Sequence, residues 1–154
     1  MPGDFWISSE DERSGRAAII ADEGDSLWLY LTEAGGEPIV ADCWLANRVA
    51  APSGAELEQR SDEYRRQEVP PPAPRDFVTD DARLEGTLDA ARFRFAWSAD
   101  GDAVAVWVDD ALAGFIAAGE EGGFSARLHT ECAWGRPLAR ELYARLFLDE
   151  AGEA

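Results

Sequence analysis

The chain has no lysine, one histidine, one methionine and two cysteines. Two cysteines are too few for a disulfide framework, so we expect both to be thiols in a reducing compartment. No apolar run is long enough to cross a membrane, and the acidic N-terminus lacks the basic and apolar regions of a signal peptide. These absences predict a cytoplasmic protein.

Catalytic and metal-binding motifs are also missing from the sequence. It contains no G-x-S-x-G, H-E-x-x-H or phosphate-loop pattern, and His129 is the only imidazole that a nucleophilic mechanism could use. His129 and Cys132 have the spacing of half a metal site, but two ligands do not make a site. We therefore predict no catalytic residue, no metal and no cofactor, and interpret this segment as a surface loop before the last helix.

The charge of the chain is strongly one-sided. All 14 basic residues are arginines, and 31 acidic residues give a net charge of −17. Nucleic acids and anionic membranes require a basic face, so the charge argues against both as partners. It favours either a basic protein partner, attracted by electrostatic steering, or a merely solvated acidic surface.

The length and composition predict one folded domain covering 1–154. Hydrophobic residues make up 46% of the 154 positions, which is enough to bury a core. Within the domain we distinguish two halves, 1–50 and 78–154, joined by a connection over 51–77. Its Pro-rich stretch at 70–74 predicts an extended, stiff spacer.

Two similar stretches, ADEGDSLWLYL and SADGDAVAVWV, predict β-hairpins, because each places an acidic-Gly turn between alternating apolar residues. With turns at Glu23-Gly24 and Asp100-Gly101, the apolar residues of each hairpin share one face. The predicted pairs are Ile20–Leu27 and Ala18–Leu29 in the first hairpin, and Trp97–Val104, Phe95–Val106 and Phe93–Val108 in the second.

Each hairpin continues into a third strand, which predicts antiparallel meanders over about 16–45 and 92–118. In the second meander we expect a turn at Asp110-Ala111, which would place Phe115 on the core face. The two turn glycines lie 77 residues apart, half the chain, so the meanders are either a degenerate duplication or two independent uses of one turn type.

The clearest helix signal is at the C-terminus, where leucines recur at helical spacing. The pattern predicts an amphipathic helix over about 137–148 with Pro137 in its first turn, packed on the second meander. The predicted fold class is therefore α+β: two antiparallel meanders, a Pro-rich connection and a C-terminal helix.

Candidate binding residues lie opposite the predicted core face or at the start of this helix. Aromatic and arginine side chains on an outer sheet face are either buried between the halves or form a binding surface. The candidates are Trp28, Tyr30, Arg92, Arg94, Trp107, Trp134 and Arg136, with His129 and Cys132 as weaker metal-ligand candidates.

These features favour a non-catalytic acidic interaction module that neutralises or inhibits a basic partner protein, as immunity proteins and antitoxins do. One alternative is a small enzyme or small-molecule-binding domain that uses an aromatic-lined sheet face with carboxylates as acid and base. Another is a structural homodimer subunit. The sequence is compatible with either a monomer or a homodimer.

Overall fold

The first of two β-sheets contains the N-terminal part of the chain. The computed structural model describes residues 5–120 and 122–148; the predicted domain's remaining positions, 1–4, 121 and 149–154, lie outside the described residues. Four antiparallel strands follow one another in the order β1-β2-β3-β4. They are β1 Trp6–Glu10, β2 Ala17–Asp22, β3 Ser26–Thr32 and β4 Ile39–Asn47.

The second sheet has five strands in the order β5-β6-β7-β8-β9, antiparallel except for a short parallel pair between β8 and β9. The strands are β5 Phe93–Trp97, β6 Ala103–Val108, β7 Ala111–Ala117, β8 Phe124–Ser125 and β9 Arg136–Pro137. Helices α1 Gly54–Gln59 and α2 Ser61–Gln67 lie in the connection. The α+β class with antiparallel meanders is thus confirmed.

The inner faces of the two sheets form one shared core. The first sheet contributes Ile20, Leu27, Leu29, Leu31 and Leu45, and the second contributes Phe93, Val104, Val106, Val108 and Ile116. Each aliphatic side chain removed from water in this way contributes about 1.5–3 kcal/mol. Since both sheets supply the core, each sheet stabilises the other.

The sheets approach most closely where β4 meets β7 and β8. A Cβ atom at Gly114 would lie 2.7 Å from the Phe124 carbonyl oxygen and 3.1 Å from Cys43 Sγ. The Cys43 thiol is itself buried and donates to the Phe124 carbonyl at 3.4 Å. Burial raises the pKa of this thiol. Cys43 is therefore a packing residue at the junction of the sheets.

The predicted register is confirmed in the second hairpin and wrong in the first. Phe93, Phe95 and Trp97 pair with Val108, Val106 and Val104. In the first hairpin Ile20 pairs with Leu29, because the turn is Gly24-Asp25 and the Glu23 N–H donates to the Ser26 carbonyl at 2.8 Å. Gly24, with a φ of 108°, takes the first turn position, as a type II′ turn requires. A slip of two residues leaves the core face unchanged.

The third strand of the second meander departs from the prediction. Its turn is Asp109-Asp110, with positive φ at both residues, rather than Asp110-Ala111. An irregularity in register after Val106 then places Phe115 opposite Ala105. Phe115 consequently lies on the outer face of the sheet, not on the core face.

The Pro-rich connection covers part of the outer face of the first sheet. Asn47 Oδ1 accepts the Ala73 N–H at 2.8 Å and the Trp44 indole N–H at 3.1 Å, and its Nδ2 donates to the Ala73 carbonyl at 2.9 Å. All three residues are fully buried. A capping box between Ser53 and Glu56 begins α1. The spacer is therefore a packed layer of the fold.

The C-terminal helix covers the outer face of the second sheet. It begins at Arg140, not at Pro137, because Pro137 lies in β9; it comprises α3 Arg140–Tyr143 and a π-helical continuation over Ala144–Leu148. Tyr143 and Phe147 contact the Phe115 ring edge-on, with centroids 5.6 and 5.8 Å away. Phe115 is thus buried under the helix that the sequence predicted to pack here.

Candidate functional site

The seven predicted binding residues fall into two groups. Trp28 and Tyr30 lie on the outer face of the first sheet, near the segment that carries Trp134 and Arg136. The second group, on the second sheet, contains Arg92, Arg94 and Trp107. The outer face of the first sheet is partly covered by the second half, because Trp28 packs in one cluster with Val78 and Leu128. The inner faces of the two sheets form the shared core.

A pocket of about 260 Å³ lies between β4 and the turn at 131–136. The turn is closed by hydrogen bonds between Cys132 and Gly135, and the Arg136 N–H donates to the Gly123 carbonyl at 2.9 Å. We call this cavity the acidic pocket. Its lining residues include Asp42, Glu131, Cys132, Trp134, Gly135 and Arg136. Three of the sequence candidates therefore line one concave site.

Asp42, like Glu131, is a residue of this pocket that the sequence analysis missed. It interrupts the apolar run of β4 and lies directly opposite Tyr30 on β3. Among the described residues its carboxylate forms no hydrogen bond or ion pair, and partial burial raises its pKa. Part of the side chain still reaches solvent, which moderates the shift. The sequence feature that could have identified Asp42 as a candidate is its carboxylate within an otherwise apolar strand.

Aromatic residues fix the surroundings of the pocket. The Trp134 indole N–H donates to the Pro71 carbonyl at 3.0 Å, and its ring lies 6.4 Å from Phe77. Tyr30 stacks on Trp28 with ring centroids 6.4 Å apart, and its hydroxyl donates to Glu23 Oε2 at 2.8 Å. Burial and the neighbouring Glu23 raise the pKa of Tyr30. The Trp134 side chain is thus held in place as one wall of the pocket, and Trp28 is a buried packing residue.

Arg136 brings the one positive charge of the pocket, and that charge is already engaged. Its guanidinium lies 4.3 Å from the centroid of the Phe124 ring and 3.5 Å from Glu120 Oε2. Asp42 and Glu131 have no such ion pair among the described residues, and Glu131 is exposed. The pocket therefore keeps a negative character and suits a cationic group beside an aromatic wall.

The weaker candidates do not form a reactive pair. His129 is exposed, and its backbone N–H donates to the Phe77 carbonyl at 3.0 Å. Cys132 is a free thiol, half-buried in the acidic pocket. The part of the chain that the structure describes contains no group of three His, Cys, Asp or Glu residues that could hold a metal ion.

On the second sheet, Arg92 has a structural role. It binds Asp109 through two hydrogen bonds of 2.9 and 2.7 Å and donates to the carbonyls of Glu85 and Thr87. This pairing lowers the pKa of Asp109. Arg94 instead lies over the Trp107 ring, with its guanidinium carbon 5.0 Å from the centroid. Arg92 holds the β6–β7 turn, whereas Arg94 and Trp107 remain accessible.

Over residues 5–120 and 122–148, no helix is long and apolar enough to span a membrane. Comparison of the chain with protein family models, curated proteins and solved structures finds no match.

Proposed function

We propose that this chain is a non-catalytic acidic interaction module that captures a basic partner protein and, in doing so, neutralises or inhibits it. The observation that carries the proposal is the acidic pocket, where Asp42 and Glu131 line the same cavity as Trp134 and neither carboxylate is paired with an arginine among the described residues. A cation entering the pocket would meet two carboxylates and an aromatic wall. The guanidinium or ammonium group of a partner has this chemistry.

The overall charge supports the same proposal. The described residues form nine ion pairs with nine different carboxylates, whereas the chain has 31 acidic residues. Uncompensated negative charge of this size raises the encounter rate with a cationic protein and keeps the chain soluble before the encounter. The acidic pocket then supplies a specific binding site for the partner on a surface that attracts cations in general.

We propose a cytoplasmic location for this activity. Cys43 and Cys132 are both free thiols in the structure, as expected in a reducing compartment. The proposal is compatible with either a monomer or a homodimer.

The test is the affinity for an arginine-rich peptide, measured by calorimetry at several salt concentrations. The pocket variant is Asp42→Asn with Glu131→Gln; the matched control is Glu58→Gln with Asp76→Asn, two exposed acids away from the pocket. Both pairs change the net charge equally, so long-range attraction falls equally. We expect the pocket variant to weaken binding about tenfold or more and the control by less than about twofold.

Equal losses in the two variants would show that the peptide responds only to net charge and would reject the pocket as the site. Binding that does not weaken with rising salt would reject the electrostatic proposal altogether. As a direct readout, the indole N–H signal of Trp134 should shift on binding of the peptide, while that of the fully buried Trp44 should not.

A further inference from the structure

A second concave site lies on the outer face of the second sheet. It is a groove of about 550 Å³ between the β6–β7 hairpin and the C-terminal helix. Its floor and walls are mainly apolar and include Trp107, Leu112, Leu138, Tyr143 and Leu148. The size falls in the range of small-molecule sites, about 300–1,000 Å³. None of its lining residues belongs to the acidic pocket.

The groove is edged by positive charge in a protein that is otherwise strongly negative. Arg140 lines it directly, and Arg94 lies over the ring of Trp107, which also lines it. Several other arginines are engaged: Arg92 pairs with Asp109, and Arg16 with Asp102. Within the described ranges, neither Arg94 nor Arg140 has a side-chain hydrogen bond or an ion pair. Arg140 is therefore an unpaired cation in the lining of the apolar groove, and Arg94 is a second one that lies against the wall residue Trp107.

We infer that this groove binds an anionic amphiphile, specifically an aliphatic carboxylate with a medium-length chain. The chain would lie on Leu112, Leu138 and Leu148, and the carboxylate would bind the guanidinium group of Arg140. Guanidinium and carboxylate groups form strong, charge-assisted hydrogen bonds. The repulsion expected from the net charge of −17 is screened beyond about 8 Å at physiological salt, so the nearby arginines dominate.

The exposed apolar surface of the groove supports a ligand of this kind. Leu148 is 56% exposed, one of four large hydrophobic residues with high exposure among those the structure describes. A bound alkyl chain would cover it. This inference is independent of the proposed capture of a basic protein, because it uses a different sheet and the opposite ligand charge.

The test compares three probes with the same ten-carbon chain, each below its micelle concentration: decanoate, decyl maltoside and decyltrimethylammonium. We expect decanoate to bind most tightly and to shift the methyl signals of Leu112, Leu138 and Leu148. Across octanoate, decanoate and dodecanoate, affinity should rise by about fourfold per methylene group until the groove is full. Equal binding of the neutral or cationic probe, or no dependence on chain length, would overturn the inference.

Variants separate the carboxylate contact from general charge. Arg140→Gln should weaken decanoate binding about tenfold. The control is Arg145→Gln, which removes the same charge from an exposed position on the same helix but does not line the groove. We expect this control to stay within about twofold of the unaltered protein. A loss as large as that of the groove variant would refute the contact.

A groove-filling change tests the chain contact without removing an arginine. Ala126 lines the groove, so Ala126→Phe should exclude decanoate while the urea unfolding midpoint remains measurable. Light scattering tests whether a second copy of the chain occupies the groove. If the protein is a dimer, if Leu148→Glu makes it monomeric and if decanoate leaves the dimer intact, the groove is a dimer interface and the inference is overturned.

Discussion

Asn47→Ala tests whether the Pro-rich connection is a packed layer of the fold. The Asn47 amide satisfies three buried groups: the N–H and carbonyl of Ala73 and the indole N–H of Trp44. Removing the amide leaves all three without their partner, at about 1–2 kcal/mol each, in the lower part of the range for buried polar groups. We therefore expect the free energy of unfolding to fall by about 3–6 kcal/mol, a large share of the 5–15 kcal/mol typical of a domain.

The measurement is urea unfolding followed by tryptophan fluorescence. With a typical slope of about 2 kcal/mol per molar urea, the midpoint should fall by about 1.5–3 M. Amide exchange at Ala73 should also accelerate, because its N–H loses its acceptor. Gln59→Ala, at an exposed helical position, is the control and should change stability by less than about 0.5 kcal/mol.

A fall of less than 1 kcal/mol for Asn47→Ala, or a fall equal to that of the control, would refute this reasoning. Unchanged exchange at Ala73 would do the same, because it would mean that the connection is held to the sheet by other contacts.

Three further predictions concern packing, pH and thiol chemistry. Gly114→Ala should destabilise the fold by about 2–4 kcal/mol in urea unfolding, since backbone and core atoms occupy the space of the added methyl; Gly54→Ala, where that space is empty, should raise stability by about 0.5 kcal/mol. Peptide affinity should fall as pH drops through the pKa of Asp42, which lies above that of an ordinary aspartate, and Asp42→Asn should remove this component in calorimetry at stepped pH. A disulfide reagent should modify Cys132 in the native protein and reach Cys43 only after unfolding; rapid modification of both would contradict the burial of Cys43.

The hairpins show what local pattern determines and what it leaves open. In the first, both Glu23-Gly24 and Gly24-Asp25 are acceptable turn dipeptides, so the sequence could not distinguish two registers that differ by two residues. Both registers keep the same side chains on the core face, which is why the core prediction was correct although the pairs were not.

The position of Phe115 shows a different limit. Alternation along β7 predicts its face only if the pairing with β6 is regular, and the irregularity after Val106 reverses it. No feature of the sequence marked that position. The C-terminal helix then covers the ring, so a long-range contact stabilises what local alternation did not predict.

The acidic pocket could be predicted only in part. Trp134 and Arg136 were recognised because they lie at the start of the predicted C-terminal helix, and both line the site. Asp42 was not, since it lies about ninety residues earlier in the chain and meets them only through the junction of the two sheets. The groove beside Arg94 and Trp107 likewise depends on where the C-terminal helix packs, which is a tertiary property.

The interleaved core has a consequence for how the two meanders came to share one chain. Either meander alone would leave its inner aliphatic face in water, and α1 between them buries none of its own residues. A polypeptide cut within α1 should therefore give two fragments that are insoluble apart and recover a folded complex when refolded together. If the meanders descend from one ancestral gene, the single-meander ancestor would have been stable only as a homodimer. Gene fusion would then have joined the two subunits in one chain.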